Sequence, residues 1–208
     1  MDRNEIMAWT RSERLGLAKF LDSLDQHEWS ADSLCPGWTV HDVLAHVTVV
    51  DTFRATIAGV IRARGNWNRM TERRARDWAA HHPPAQLIAQ LRENAGSARR
   101  APGTSPLDPL VDTMVHGQDI ARPLGRWRAM PTEPAVAALE HVLRSRFYGA
   151  RTRLRGVRLV ATDTDWSAGA GSEEIRGSLS DLLLVATGRA AGLAGVTGAG
   201  AQRIADAL

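Results

Sequence analysis

Two carboxylates and an imidazole with helical spacing are the clearest chemistry-bearing group in this sequence. Asp112, His116 and Asp119 stand four and then three residues apart within the segment DPLVDTMVHGQDIARPLG. At about 100° per residue, this spacing places all three on one stripe of a helix. Most of the remaining circumference is apolar, so we expect this helix to be buried on nearly all sides. Buried carboxylates and imidazoles need a compensating charge or a metal. The stripe therefore predicts either a metal site or a buried Asp–His network.

A further histidine, His46, lies in the segment SLCPGWTVHDVLAHVT. Thr39 followed three residues later by Asp42 fits the capping-box pattern, so we predict a helix that begins at Thr39. His46 falls on the flank of its apolar stripe and His41 on the opposite side, the stripe being Val40, Val43, Leu44 and Val47. Alone, such a histidine is more often a core residue with an ordinary hydrogen-bond partner. Together with a carboxylate and an imidazole from another helix, it would complete the three protein ligands of a catalytic zinc site.

The first two-thirds of the chain has the periodicity of helices. We predict segments from about Asn4 to Gln26, from Thr39, around residues 87–95, from Asp108 and Pro109 to Pro123, and over residues 136–147. These lengths suit an antiparallel bundle with one long crossover segment.

The pattern changes after Arg151. VRLVAT is short and rich in β-branched residues, and the Gly-rich segment after it is typical of turns and hairpins. Ser178 and Asp181 resemble a capping box for the helix LSDLLLVAT, and Gly188 is a plausible stop. We therefore predict a mainly α protein, with a helical bundle over residues 1–150 and a small α+β domain over residues 151–208.

Composition excludes several classes of partner. The net charge is +3 and 44% of the 208 residues are apolar, and no apolar run reaches the roughly 18 to 20 residues that span a bilayer. The Arg-rich run over residues 144–158 carries no nucleic-acid-binding motif, so we expect neither nucleic acid nor membrane as partner. Cys35 is the only cysteine, and the charged segment MDRNEIMAWTRSER lacks the apolar block of a signal peptide. A cytoplasmic protein is the expectation.

Three segments together resemble the mycothiol-dependent maleylpyruvate isomerase family: LCPGWTVHDVLAHV, DTMVHGQDIARPLG and RLVATDTDWSAGAGSEEIRGSLSDLLLVATGR. The resemblance implies a DinB-like four-helix bundle followed by a small C-terminal domain. It also implies a divalent metal, usually zinc, bound by one histidine of the second bundle helix and a Glu-x-x-x-His pair of a later helix. Carried over by motif, the ligands are His46, Asp112 and His116. Asp112 departs from the pattern, which commonly has glutamate there.

The resemblance further implies mycothiol or a similar small thiol as cofactor or co-substrate, and a small electrophile as substrate. Thiolate addition to a conjugated cis double bond allows rotation, and elimination then releases the trans isomer; in an S-transferase the sulfur adduct is kept. Two other functions stay open, a non-catalytic metal-binding or interaction protein and a metal-assisted hydrolase. We expect a monomer or a homodimer.

Supporting roles follow for a few further residues. Asp119 is predicted to accept a hydrogen bond from a ligand imidazole, the alternative being that it caps a surface charge. Arg189 stands where an arginine recurs in the resembled C-terminal domain, which implies binding of a substrate carboxylate, a structural salt bridge being the alternative. Gln118 and Arg122 are candidates for cofactor contacts, although an exposed, salt-bridged Arg122 is equally ordinary. Cys35 is interpreted as a small packing residue rather than a ligand.

Overall fold

A computed structural model describes residues 1–49, 67–100, 103–206 and 208. The chain forms two compact units, Met1–Arg128 and Ala129–Leu208. Among the described helices, none is both long enough and apolar enough to cross a membrane.

Within the described residues, the secondary-structure elements of the first unit are helices. Its helices are α1 Arg3–Leu21, α2 Val40–Thr48, α3 Trp67–His81, α4 Pro84–Glu93 and α5 Asp108–Ala121. Helix α1 packs against α4 and α5, while α2 packs against α3, α4 and α5. The side chains that fill the interior are apolar and almost fully buried, among them Leu17, Leu21, Val43, Leu44, Leu87, Leu91 and Ile120. Helix α2 thus lies beside α5, which brings the two predicted ligand-bearing helices into contact.

The start of α2 is set locally, as the sequence predicted. Thr39 Oγ1 accepts a hydrogen bond from the backbone N–H of Asp42 at 3.2 Å, and the Asp42 carboxylate accepts one from the backbone N–H of Thr39 at 2.9 Å. This reciprocal pair satisfies two N–H groups that a helix end leaves without intrahelical partners. The orientation of every later side chain of α2, His46 included, follows from this fixed start.

Several helices differ from prediction: besides those described next, the helix predicted over residues 136–147 spans Thr132–Arg144. Helix α1 ends at Leu21 rather than near Gln26, because Ser23 and Leu24 form tighter i→i−3 hydrogen bonds to Phe20 and Leu21. Helix α3 was not predicted, and part of the predicted crossover lies outside the described residues. Helix α5 has Leu107 as its N-cap and Asp108 as its first helical residue, and it ends at Ala121 rather than at Pro123.

The second unit combines helices with a small sheet. Its helices are α6 Thr132–Arg144, α7 Ala150–Arg153, α8 Leu179–Ala186 and α9 Ala201–Ala205, and its strands are β1 Val157–Ala161, β2 Ser167–Ala168, β3 Glu173–Gly177 and β4 Val196–Thr197. The strand order is β2-β1-β3-β4, with β1 and β3 parallel and both edge strands antiparallel to their neighbours. Ser178 caps α8 by accepting from the Asp181 N–H, and Gly188 follows its end at a φ of +89°. The predicted strand, cap and stop are therefore present.

Along the sequence, the first compact unit ends at Arg128, 22 residues before the boundary predicted at residue 150. Helix α6, predicted as the last bundle helix, packs against α8 and so belongs with the sheet-containing unit. The division into domains at residue 150 stays a prediction. The mainly α architecture with a small α+β C-terminal part is confirmed.

Candidate metal centre

Three side chains from α2 and α5 converge on one point. His46 Nε2 lies 3.5 Å and His116 Nε2 lies 3.4 Å from the same oxygen, Asp112 Oδ1. One ligand atom from each of the three residues lies within 4.8 Å of the other two. The two imidazole rings stand 4.8 Å apart, centroid to centroid, at 76° to each other. Both ring nitrogens therefore face the carboxylate oxygen rather than each other.

These distances fit a tetrahedral cation. A metal bound at about 2.0 to 2.2 Å by nitrogen and oxygen places neighbouring ligand atoms about 3.3 to 3.6 Å apart, and two of the three separations are 3.4 and 3.5 Å. Two imidazoles and a carboxylate also form a donor set that zinc accepts. Asp112 is the most exposed of the three side chains at 43%, against 24% for His46 and 11% for His116. The cluster therefore opens to solvent on the side of its carboxylate.

The Asp112 carboxylate attracts the imidazoles of His46 and His116, and this attraction changes the pKa values of Asp112 and His116. The Asp112 side chain is only partly buried, and the partial loss of solvent around its carboxylate would raise its pKa; the charge and hydrogen bonds of His116, followed by those of His46, outweigh this and hold the pKa well below its ordinary value. Burial would likewise lower the pKa of His116, and the attraction and hydrogen bond of Asp112 outweigh it, so this pKa lies well above 6.5. The carboxylate and the imidazole of His116 therefore stabilise each other's charged forms.

Asp119 holds the far side of the His116 ring. Its Oδ2 lies 2.9 Å from His116 Nδ1, and the Asp119 side chain has no exposed surface. A ring whose Nδ1–H is donated to a carboxylate leaves Nε2 for a ligand role. The three members of the predicted stripe, Asp112, His116 and Asp119, thus form one connected chain of contacts.

The turn before α2 also reaches the cluster, which the sequence interpretation missed. Cys35 Sγ lies 3.3 Å from Asp119 Oδ2 and 3.8 Å from His116 Nδ1. Trp38, from the same turn, packs edge-on against His46 with ring centroids 5.3 Å apart. The sequence predicts only a packing role for Cys35, and no spacing signal links it to Asp119, 84 positions later.

Two predicted cofactor contacts lie elsewhere on α5. Gln118 is two residues beyond His116 and so points to the opposite side of the helix, where its Nε2 donates to the Arg128 carbonyl at 2.9 Å. Its Oε1 accepts from Arg122 Nε at 3.2 Å. The structure does not bring Gln118 and Arg122 together with the three-residue cluster. Arg189 lies in the second unit, where its Nη1 donates to the Thr187 carbonyl at 2.9 Å.

Comparison with known proteins adds two findings. Residues 10–133 match the family described as the mycothiol maleylpyruvate isomerase N-terminal domain. The fold is similar to crystal structures of the mycothiol-dependent maleylpyruvate isomerase, with a TM-score of 0.52 at 16% identity, and of its histidine-to-alanine mutant, with a TM-score of 0.54 at 15% identity. Each match covers 96% of this chain and 93% of the solved one. At 15% and 16% identity, the similarity to these solved structures supports a common fold and no more. No curated protein sequence matches the chain.

Proposed function

We propose, because the chain belongs to the mycothiol maleylpyruvate isomerase N-terminal domain family, that it is a metal-dependent enzyme that works with a small thiol such as mycothiol. The proposed reaction is cis–trans isomerisation of a small electrophile, or S-transfer to it. The observation that carries the proposal is the convergence of three ligand-type atoms from two helices, with the carboxylate side open to solvent.

In this proposal, His46 Nε2, Asp112 Oδ1 and His116 Nε2 hold a divalent metal. Three protein ligands are the number that catalytic zinc sites use, since this leaves one position for a non-protein ligand. A bound zinc-like ion would lower the pKa of a small thiol, and the thiolate is the nucleophilic form. Asp112 offers a ligand oxygen although its side chain is shorter than glutamate, because that oxygen already stands between both ring nitrogens.

The chain's own residues keep this centre in place. Asp119 accepts from His116 Nδ1 and so directs His116 Nε2 toward Asp112. Trp38 packs on the His46 ring and limits its rotation. Arg189 is proposed to bind an anionic group of the substrate, since a guanidinium matches a carboxylate in geometry and charge. Roles for Gln118 and Arg122 in cofactor binding stay predictions.

The reaction can be tested with the substrate named for the solved relatives. Purified protein loaded with Zn²⁺ is mixed with maleylpyruvate and mycothiol, and conversion to the trans isomer is followed by proton NMR. A panel of other cis-configured unsaturated acids extends the search to further substrates. We expect turnover that requires both the thiol and the metal.

Matched variants identify the residues involved. His46→Ala removes one ligand and is expected to lower turnover by at least about 100-fold, by analogy with the cost of losing groups that act at the reacting centre. His41→Ala removes a histidine of the same helix whose Nε2 lies 3.0 Å from the His82 carbonyl, so its turnover is expected to match wild type. Equal loss in both variants would indicate damage to the helix rather than to a metal ligand.

The alternatives predict different results. A metal-assisted hydrolase would act on its substrate with no thiol present, because the open metal position then activates water. A non-catalytic binding protein would retain the metal and convert none of the electrophiles with any thiol. Either result would refute the proposed reaction while leaving the metal site in place.

A further inference from the structure

The turn from Ser33 to Trp38 is firmly attached to α5. Ser33 N–H donates to the Trp38 carbonyl at 2.9 Å, and Trp38 N–H donates to the Cys35 carbonyl at 3.0 Å, so the turn is closed upon itself. Leu34 N–H donates to the backbone carbonyl of Asp119 at 3.0 Å. The turn therefore presents Cys35 to α5 in one fixed orientation.

The Cys35 thiol contacts Asp119 Oδ2, the same oxygen that contacts the candidate metal ligand His116. Cys35 S–H donates to Asp119 Oδ2 at 3.3 Å, and the same oxygen accepts from His116 Nδ1 at 2.9 Å. The carboxylate that orients the His116 ring is itself oriented by a second donor from another part of the chain. Because this carboxylate is fully buried, losing one of its donors without a replacement would leave a buried acceptor unsatisfied, which is costly.

We propose that Cys35 is a positioning residue of the metal centre. Its thiol holds the Asp119 carboxylate in the orientation that accepts His116 Nδ1–H, which keeps His116 Nε2 directed toward Asp112. The inference rests on the metal site of the proposed function and is independent of the reaction catalysed. The competing interpretation is that the partly buried Cys35 only fills space, as free cysteines commonly do.

Two substitutions separate hydrogen bonding from packing. Cys35→Ser keeps a donor in a smaller side chain, whereas Cys35→Ala removes the donor with a similar loss of volume. Loss of a group that hydrogen-bonds directly to a metal ligand usually weakens metal binding about 10- to 100-fold. Cys35 contacts the ligand His116 only through Asp119, and a thiol is a weak hydrogen-bond donor, so a smaller effect is expected. We therefore expect Zn²⁺ affinity to fall about 3- to 10-fold in Cys35→Ala and to stay within about 2-fold of wild type in Cys35→Ser.

Affinity is measured by competition with a chromophoric chelator at fixed pH. A second readout is the visible spectrum of the Co²⁺-loaded protein, which reports ligand geometry and does not follow global stability. The Co²⁺ bands should shift in Cys35→Ala and coincide with wild type in Cys35→Ser. Ser178→Ala, which removes a helix cap in the second unit, serves as the control for general destabilisation and should leave both readouts unchanged.

The outcomes are distinct. If wild type binds no metal, the metal site of the proposed function fails. If wild type binds Zn²⁺ and Cys35→Ala binds it equally well with the same Co²⁺ spectrum, the metal site stands and the role of Cys35 is refuted. Equal weakening in both Cys35 variants would show that volume, not the hydrogen bond, is what the site needs, and would also refute the proposal.

Discussion

A buried ion pair joins α1 to the segment that follows α5, and its removal tests how that segment is held beside the metal-bearing helix. Arg128 Nη2 donates to Glu13 Oε2 at 2.7 Å and to the Glu13 carbonyl at 3.2 Å. The two side chains are only 7% and 6% exposed. The guanidinium lies against Gly117, where an added Cβ would come within 3.0 Å of it. Glu13→Gln would leave this buried cation without its counter-charge.

The expected cost follows from that burial. Breaking a buried pair by removing one partner costs about 3 to 5 kcal/mol, because the remaining charge is neither paired nor hydrated. Glutamine retains one acceptor oxygen, so we expect a loss near the lower end, about 3 kcal/mol. At a urea dependence of about 2 to 3 kcal/mol per molar, this shifts the unfolding midpoint down by about 1 to 1.5 M.

The assay is urea unfolding at neutral pH followed by circular dichroism. Glu140→Gln is the matched control: it removes the partner of Arg144 in a surface pair whose side chains are 41% and 78% exposed. Exposed pairs contribute about 0 to 1 kcal/mol, so this midpoint should hardly move. A loss below about 1 kcal/mol for Glu13→Gln, equal to the control, would refute the reasoning. The double change Glu13→Leu with Arg128→Met should recover much of the loss, since no unpaired charge remains.

Three further predictions concern local features. Thr39→Ala removes the side-chain half of the cap at the start of α2, the Oγ1 acceptor for the Asp42 N–H, and should cost about 1 kcal/mol of unfolding free energy, measured by thermal melting; an unchanged melting temperature would contradict it. The hydrogen bond from Arg126 and that from the Asp25 backbone lower the pKa of Glu28, so the stability from this pair is present above the ordinary carboxyl pKa and fades as pH falls through the lowered value. Melting temperatures of wild type and Arg126→Gln should therefore differ at neutral pH and converge in acid, and a constant difference would be inconsistent with this linkage. In metal-free protein, Asp112→Asn should lower the pKa of His116 markedly, because burial then acts without the attraction that outweighs it; an NMR titration that leaves this pKa unchanged would exclude Asp112 as its cause.

Features built from neighbouring residues were predictable from sequence. The caps at Thr39 and Ser178 are completed by residues three positions later, so the pattern that forms them is visible in the chain. The strand over Val157–Ala161 likewise follows from a β-branched run bounded by turn residues.

Features that depend on tertiary contacts were not predictable. Helix α3 carries many charged residues among its apolar ones, and no local spacing indicates that it packs against α2. In the sequence, Glu13 is only a charged residue among the apolar positions of α1. Its partner Arg128 comes 115 residues later, and no local spacing connects them.

The candidate site divides in the same way. Asp112, His116 and Asp119 were predicted to share a stripe, because their spacing is that of one helix face. His46 could be placed on its own helix by the Thr39 cap, but its approach to Asp112 required the packing of α2 on α5. The sequence does not predict the contact between the Cys35 turn and α5. That contact depends on the backbone hydrogen bond from Leu34 to Asp119, which joins two segments far apart in the chain.

The most direct test of the account is the metal content of three proteins. Wild type, His116→Ala and His41→Ala are stripped of metal, dialysed against limiting Zn²⁺ and analysed by atomic emission. The account predicts about one zinc ion per chain for wild type and for His41→Ala, and close to none for His116→Ala, because three protein ligands become two. Equal zinc content in His116→Ala and wild type would contradict the assignment of His46, Asp112 and His116 as the metal centre.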